Sequence, residues 1–338
     1  MPDKNLLTIK TVGVIVGLDL VGDALIKLPF LRALRAAWPE AHIHWITSKG
    51  PTAYNGPLRE VTKHLIDFIH EQPAWLLKTE PRTPSPEPRF DLLIDTRNRW
   101  PEAIQARRNA PHGLFIAPAF RFLFSDRRPS LFQPRPPHLV DRLLQLVELA
   151  GGGRSMATGQ LPVPEDMLAR ARQIMPEGPV YIGFAPGAGN MIKAWPRERF
   201  AALAAMQAAK NRVPVFLLGP QEQDWLEDLK AAVPTALFPL QAYEVWGDKA
   251  YSIEKTLAVG SRLNVAVVND SGTSHMLAAV DCPLMSLFGP TSPAKLAPRV
   301  THSFVVNAQD YGGNAMEAIP VAPVNLMINK VILLRKRG

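Results

Sequence analysis

Apolar positions along the chain follow two alternating patterns. Short unbroken runs of β-branched and small apolar residues occupy Thr11–Gly17, His42–Thr47 and Phe90–Asp95 in the first half. In the second half they occupy Val180–Ala185, Val213–Gly219, Val265–Asp270 and Pro283–Gly289. Runs of this length and type predict strands covered on both faces. Between them apolar residues recur at helical spacing. Leu28, Leu31 and Leu34 share a side of a helix predicted from Ala24 to about Trp38, with a kink expected at Pro29. Residues from Pro137 to Ala150 form a strongly amphipathic helix that Gly151-Gly152-Gly153 ends. Phe200, Leu203, Ala204 and Ala208 mark another helix behind Pro196, and the tail from Val324 to about Leu334 reads as a last one.

Strands alternating with helices predict parallel sheets with helices on both faces, so the fold class is α/β. The rhythm occurs twice, giving two domains in tandem with a cleft between the carboxyl edges of their sheets. The predicted boundaries are a first domain over 1–155, a link over 156–178 and a second domain over 179–322. Residues 323–338 would form a C-terminal helix free to pack back on the first domain. Residues from about 72 to 137 are rich in Pro and Arg and read as long loops with short elements between them.

Two junctions in the second half carry the chemistry. The strand ending at Asn269-Asp270 turns through Ser271 and Gly272 and opens a helix bearing His275. Ser271 is the cap candidate. Such a junction offers free N–H groups and the positive end of a helix dipole, which suits phosphate. Upstream, Tyr181-Ile-Gly-Phe-Ala-Pro186-Gly187-Ala188-Gly189 leads from a strand to Lys193 and then to Trp195-Pro196. Gly187 and Gly189 permit close backbone approach, and Lys193 supplies a point charge. Neither junction is a P-loop or a G-x-G-x-x-G turn. Two phosphate-type junctions in one domain point to a shared diphosphate site.

Composition narrows the classes. The 47% apolar share predicts a folded domain with a sizeable core, and no run approaches the roughly 18 apolar residues of a membrane span. The N-terminus runs directly into a strand with no leader pattern, and Cys282 is the only cysteine, which excludes intrachain disulfides and a Cys-based zinc site. A reducing cytoplasm is the expected compartment. The net charge of +8 favours an acidic partner, such as a nucleotide, an anionic glycan or an anionic membrane. No nucleic-acid recognition motif is present, so a nucleic-acid partner is not expected.

Four blocks, in order, carry a family resemblance. They are Gly22–Arg35, Pro186–Pro196 with Lys193-Ala-Trp, Asp270-Ser-Gly through His275, and Leu287-Phe-Gly-Pro-Thr-Ser-Pro293. Together they resemble glycosyltransferase family 9, the heptosyltransferases of lipopolysaccharide synthesis. The resemblance implies a GT-B fold, two Rossmann-like domains facing across a cleft, with inverting chemistry and neither metal nor cofactor. It implies a nucleotide-diphosphate sugar donor, ADP-heptose by default, and a lipopolysaccharide core or related anionic glycan as acceptor. It also implies peripheral contact with the anionic inner face of the inner membrane.

The match further implies roles residue by residue. Asp23 stands at the position of the general base, with Asp19 as its rival; a helix cap is the other reading of Asp23. Lys193 and the Ser271-Gly272 helix start would neutralise the leaving diphosphate. Gly187, Ala188, Lys193, Glu222, Ser252, Asp270, Ser271, Gly272 and His275 would hold the donor, with Glu222 on the ribose. Arg97, Arg99 and Arg121, in the loop-rich stretch that also carries Arg107 and Arg108, would hold acidic groups of the acceptor. Two other readings stay open: a sugar-nucleotide epimerase on the same fold, and a degenerate nucleotide- or glycan-binding component of envelope assembly.

Overall fold

The computed structural model describes residues 9–77, 89–130, 132–153 and 159–335. The chain divides into two compact units, residues 1–157 and 158–338.

The first unit is built on a five-stranded sheet. Its strands are β1 (Thr11–Val16), β2 (His42–Thr47), β3 (Phe68–Glu71), β4 (Phe90–Asp95) and β5 (His112–Ile116), in the order β3-β2-β1-β4-β5. All pairings are parallel, with Val14 opposite Trp45 on one side and Ile94 on the other. The apolar runs of β1, β2 and β4 are buried on both faces, as central parallel strands require. The order reverses direction between β1 and β4. At such a switch point the connections leave on opposite faces and open a crevice at the carboxyl edge.

The first helix spans Val21–Ala37 and runs unbroken through Pro29. The sequence reading placed its start at Ala24 and a kink at Pro29. The structure corrects the start: the Ala24 N–H already donates to the Leu20 carbonyl at 2.8 Å, so the turn containing Gly22 and Asp23 is helical. The helix Leu139–Ala150 begins at His138, whose Nδ1 accepts from the Val140 N–H, and ends on Gly151 at φ 100, a left-handed conformation that favours glycine.

The second unit repeats the plan with β6 (Tyr181–Ala185), β7 (Val213–Phe216), β8 (Val265–Asn269), β9 (Leu284–Phe288) and β10 (Ser303–Asn307). Its order is β10-β9-β8-β6-β7, again all parallel, with the switch point between β6 and β8. Phe184, Trp195, Phe200, Val267 and Leu287 form the heart of its core.

Three stretches gain detail that the sequence alone does not give. The stretch expected as a link over 156–178 contains a helix, Glu165–Ile174, whose Arg170 donates to the Val245 and Trp246 carbonyls of the second unit. The beginning of that link lies outside the described residues. In the C-terminal helix, Val321–Arg335, the residues Val324, Ile328, Val331 and Ile332 join the second unit's core. Finally, the Pro- and Arg-rich stretch is less loop-like than expected. It contains β5 and the helix Trp100–Asn109, whose Ala103 and Ala106 are fully buried.

Candidate active site

The second unit's switch point gathers the predicted donor residues. Because all its strands run parallel, the segments after β6, β7, β8 and β9 emerge at one edge. The loop after β6 runs from Pro186 to Trp195 and closes with a short turn, Met191–Lys193. At the end of β8, Asn269 is completely buried. Its Nδ2 donates to the Pro186 carbonyl at 2.8 Å, and its Oδ1 accepts from the Trp195 N–H at 3.1 Å. The next residue, Asp270, accepts from Lys193 Nζ at 2.9 Å and from Thr291 Oγ1 at 2.8 Å, both on Oδ2. Asn269, the last residue of β8, and Asp270 just after it thus hold three points of the loop.

Inside that frame the backbone is open to a ligand. Among the described residues, no protein acceptor takes the N–H of Gly187, Ala188 or Gly189. The helix Gly272–Ala279 starts beside Asp270 and presents the unspent N–H groups of its first turn. Ser271 holds the cap position, but its side chain makes no capping bond and its buried Oγ has no partner among the described residues. The expected capping role of Ser271 is therefore not realised, because its Oγ is not turned onto the helix amides. His275 sits half-buried in the same helix.

Glu222 closes the site from below. It is buried in the turn after β7, where its Oε2 accepts from the Gly219 N–H at 2.9 Å. Burial pushes its carboxyl up, against the pull of that N–H. A Cβ on Gly187 would lie 2.5 Å from Glu222 Oε1, so any larger residue there would push this carboxylate aside. Ser252 has a local job that the sequence reading did not assign: its Oγ accepts from the Lys255 N–H and caps the helix Ile253–Gly260. Buried Lys255 in turn ties down the preceding loop through Asp248 Oδ1 at 2.6 Å and the Ala250 carbonyl at 2.8 Å.

In the first unit the two candidate bases separate cleanly. Asp19 is fully buried, and its oxygens accept from Lys27 Nζ at 2.7 Å, Trp45 Nε1 at 2.8 Å and Thr52 Oγ1 at 2.6 Å. Asp23 is exposed in the first turn of the helix Val21–Ala37; among the described residues no bond engages its carboxylate, and its backbone carbonyl accepts from Lys27 Nζ at 2.7 Å. It is not the helix cap, which is Leu20.

The arginines also separate. Arg97 is nearly buried and grips Asp95 with two bonds of 2.8 Å, while Nη2 also reaches the Glu102 carbonyl. Its Nε and Nη2 are thus engaged within the protein, where the sequence reading had it hold an acceptor. Arg107 is likewise bound to Asp126 and the Phe124 carbonyl. Arg99 and Arg121 remain exposed at the carboxyl edge, beside exposed Trp100 and Phe120. Residues Phe120, Arg121 and Phe122 all have positive φ, a left-handed turn that holds Arg121 outward.

A family model for glycosyltransferase family 9 (heptosyltransferase) matches residues 87–316. The chain belongs to this family. As a glycosyltransferase it has curated relatives at low identity. It is 30% identical over 126 residues to lipooligosaccharide heptosyltransferase 2 of Haemophilus influenzae, a segment covering 37% of this chain and 35% of that protein. It is 21% identical over 318 residues to a lipopolysaccharide core heptosyltransferase of the same organism, covering 91% and 89% of the two chains. The structure of ADP-heptose lipopolysaccharide heptosyltransferase II of E. coli superposes with a TM-score of 0.66 at 20% identity, over 97% of this chain and 100% of that one. That likeness carries the fold, two Rossmann-like units of the GT-B class.

The sequence reading missed Asn269 as a site residue and gave Thr291 no role beyond a turn. For Asn269 the signal was present: a polar residue closing an otherwise apolar buried strand, directly before Asp270, needs partners for both ends of its amide. Among the described residues no group of three His, Cys, Asp or Glu side chains is arranged to hold a metal ion.

Proposed function

We propose that this glycosyltransferase moves heptose from ADP-heptose to a hydroxyl of a lipopolysaccharide core or a related anionic glycan, with inversion and without a metal. The observation that carries the reading is the second unit's switch point. Lys193, the unspent N–H groups of Gly187–Gly189 and a helix start converge there, as a diphosphate requires. The names of the relatives supply the donor and the acceptor class.

In this reading the acceptor oxygen attacks the anomeric carbon as its proton passes to Asp23. The bond from that carbon to the diphosphate oxygen breaks, and ADP leaves. Lys193 keeps donors beyond the one it gives to Asp270, so it can meet the developing charge without abandoning its partner. Asp19 fixes the segment before Asp23 through Lys27, which also holds the Asp23 carbonyl. Glu222 and the loop held by Lys255 serve the nucleoside end of the donor. Arg99 and Arg121 meet acidic groups of the acceptor.

No helix among the described residues is long and apolar enough to cross a membrane. A cytoplasmic enzyme held to the anionic inner face by Arg99, Arg121 and exposed Trp100, Phe120 and Leu123 fits the charge and exposure of this edge.

The test is product analysis. Purified protein is incubated with ADP-heptose and a heptose-free lipopolysaccharide core acceptor. The expected product is one glycan heavier by a heptose for each ADP released, with inverted anomeric configuration. ADP-heptose consumed to an epimer, or bound without turnover, overturns the transferase reading.

A further inference from the structure

We infer that Asn269 is the positioning residue that shapes the Pro186–Trp195 loop into a diphosphate-receiving form; the inference rests on the transferase reading for its ligand. The loop leaves β6 at Pro186 and re-enters the core at Trp195. Asn269 bonds to both points, through its N–H₂ to the Pro186 carbonyl and through its carbonyl oxygen from the Trp195 N–H. Its side chain is entirely buried at the end of β8.

Fixing the two ends decides what the middle does. With the Pro186 carbonyl drawn toward β8, the Gly187, Ala188 and Gly189 N–H groups are left without protein acceptors. Trp195, anchored by Asn269 and by Nε1 to the Ile319 carbonyl, sets the position of Lys193 two residues before it. Lys193 then reaches Asp270, the residue that follows Asn269 at the end of β8. A single carboxamide therefore aligns a row of N–H donors with a cation.

The chemistry demands an amide. Only a side chain that donates and accepts at once meets both bonds. A leucine of similar volume would strand a buried carbonyl and a buried N–H. An ionised aspartate would accept from Trp195 and repel the Pro186 carbonyl. A protonated aspartic acid, however, donates with its O–H and accepts with its C=O, and so imitates asparagine.

Asn269→Asp is therefore the informative variant, with Asn269→Ala beside it and ADP as the probe. Loop opening is read by hydrogen exchange over residues 186–195 in the ligand-free protein, and ADP affinity by calorimetry from acid to neutral pH. Asp270, Lys193 and Glu222 lie around this loop, so the wild-type profile is the reference that removes their own titration. In Asn269→Ala we expect faster exchange confined to the loop and affinity weaker by about tenfold or more at every pH. In Asn269→Asp we expect near wild-type exchange and affinity at acid pH, and both lost toward neutral.

A loop that exchanges at the wild-type rate in Asn269→Ala overturns the inference. So does an Asn269→Asp profile parallel to the wild type. If wild-type protein binds no ADP, the donor reading fails instead, and the exchange arm still decides the role of Asn269.

Discussion

Lys193 and Thr291 converge on one atom, Asp270 Oδ2, from 2.9 and 2.8 Å. They come from different loops, one behind β6 and one behind β9, so Asp270 is the joint between two of the four sequence blocks. Sharing one oxygen leaves Lys193 oriented while its remaining N–H donors stay free for a ligand. Thr291→Val removes the hydroxyl and keeps the volume close. Its expected effect is a rise of a few fold in the donor KM with kcat nearly intact, measured by ADP release. An unchanged KM would assign Thr291 to the turn alone.

The two aspartates of the first unit predict opposite phenotypes. Asp23 is exposed and its carboxylate has no role in packing, so Asp23→Ala should lower kcat by roughly a hundredfold or more and leave the denaturation midpoint in place. Asp19 is buried against Lys27, Trp45 and Thr52. Asp19→Ala strands a cation and two neutral donors, and it should destabilise the protein by about 3 kcal/mol. Urea denaturation together with turnover separates the two. A stable, inactive Asp19 variant would reverse the assignment of the base.

Gly187 and Glu222 constrain one another. An alanine at 187 would place its Cβ 2.5 Å from Glu222 Oε1 and 2.6 Å from Cδ, so the carboxylate must leave its bond to the Gly219 N–H. Gly187→Ala is expected to cost about 1–3 kcal/mol of stability and to weaken donor binding. Combined with Glu222→Ala the clash disappears, so the stability losses should fall short of additive. Additive losses in the double-mutant cycle would show that the two residues do not meet.

His44 sets a pH dependence within the first unit's sheet. Its ring stacks on Phe68 and bonds His70 at 2.9 Å, and burial, followed by His70 and His42, lowers its pKa from 6.5 to about 4. The fold holds the neutral ring, so its contribution to stability is complete above pH 6.5 and drains away as pH falls toward 4. Denaturation midpoints of His44→Phe should fall less steeply than those of the wild type across that window. Parallel curves would remove His44 as the cause.

Much of this was legible from residue patterns because long apolar runs are central strands. β1, β2, β4, β6, β8 and β9 each lie between two neighbours, and burial on both faces writes them plainly into the sequence. The strands that went unread, β3, β5 and β10, are edge strands, and they carry His70, His112 and Ser303 where a central strand has apolar residues. The Pro186–Trp195 loop was legible through Gly187, Lys193 and Asp270. Asn269 was legible as a polar residue closing an apolar strand, but its partners, backbone atoms more than 70 residues away in the chain, were not. The split between Asp19 and Asp23 was equally hidden, since Trp45 and Thr52 reach Asp19 only after β1 and β2 have paired. Arg97 reads as a surface charge until Asp95 is seen to be buried beside it.

The central claim is that Lys193 and the open loop amides hold a nucleotide diphosphate without a metal. Calorimetric titration of ADP into wild-type protein and Lys193→Met, each in EDTA, tests it most directly. Wild-type protein should bind ADP with an affinity that magnesium does not strengthen, and the variant should bind it about tenfold to a hundredfold more weakly. Wild-type binding that appears only with magnesium, or equal affinity in the two proteins, would contradict it.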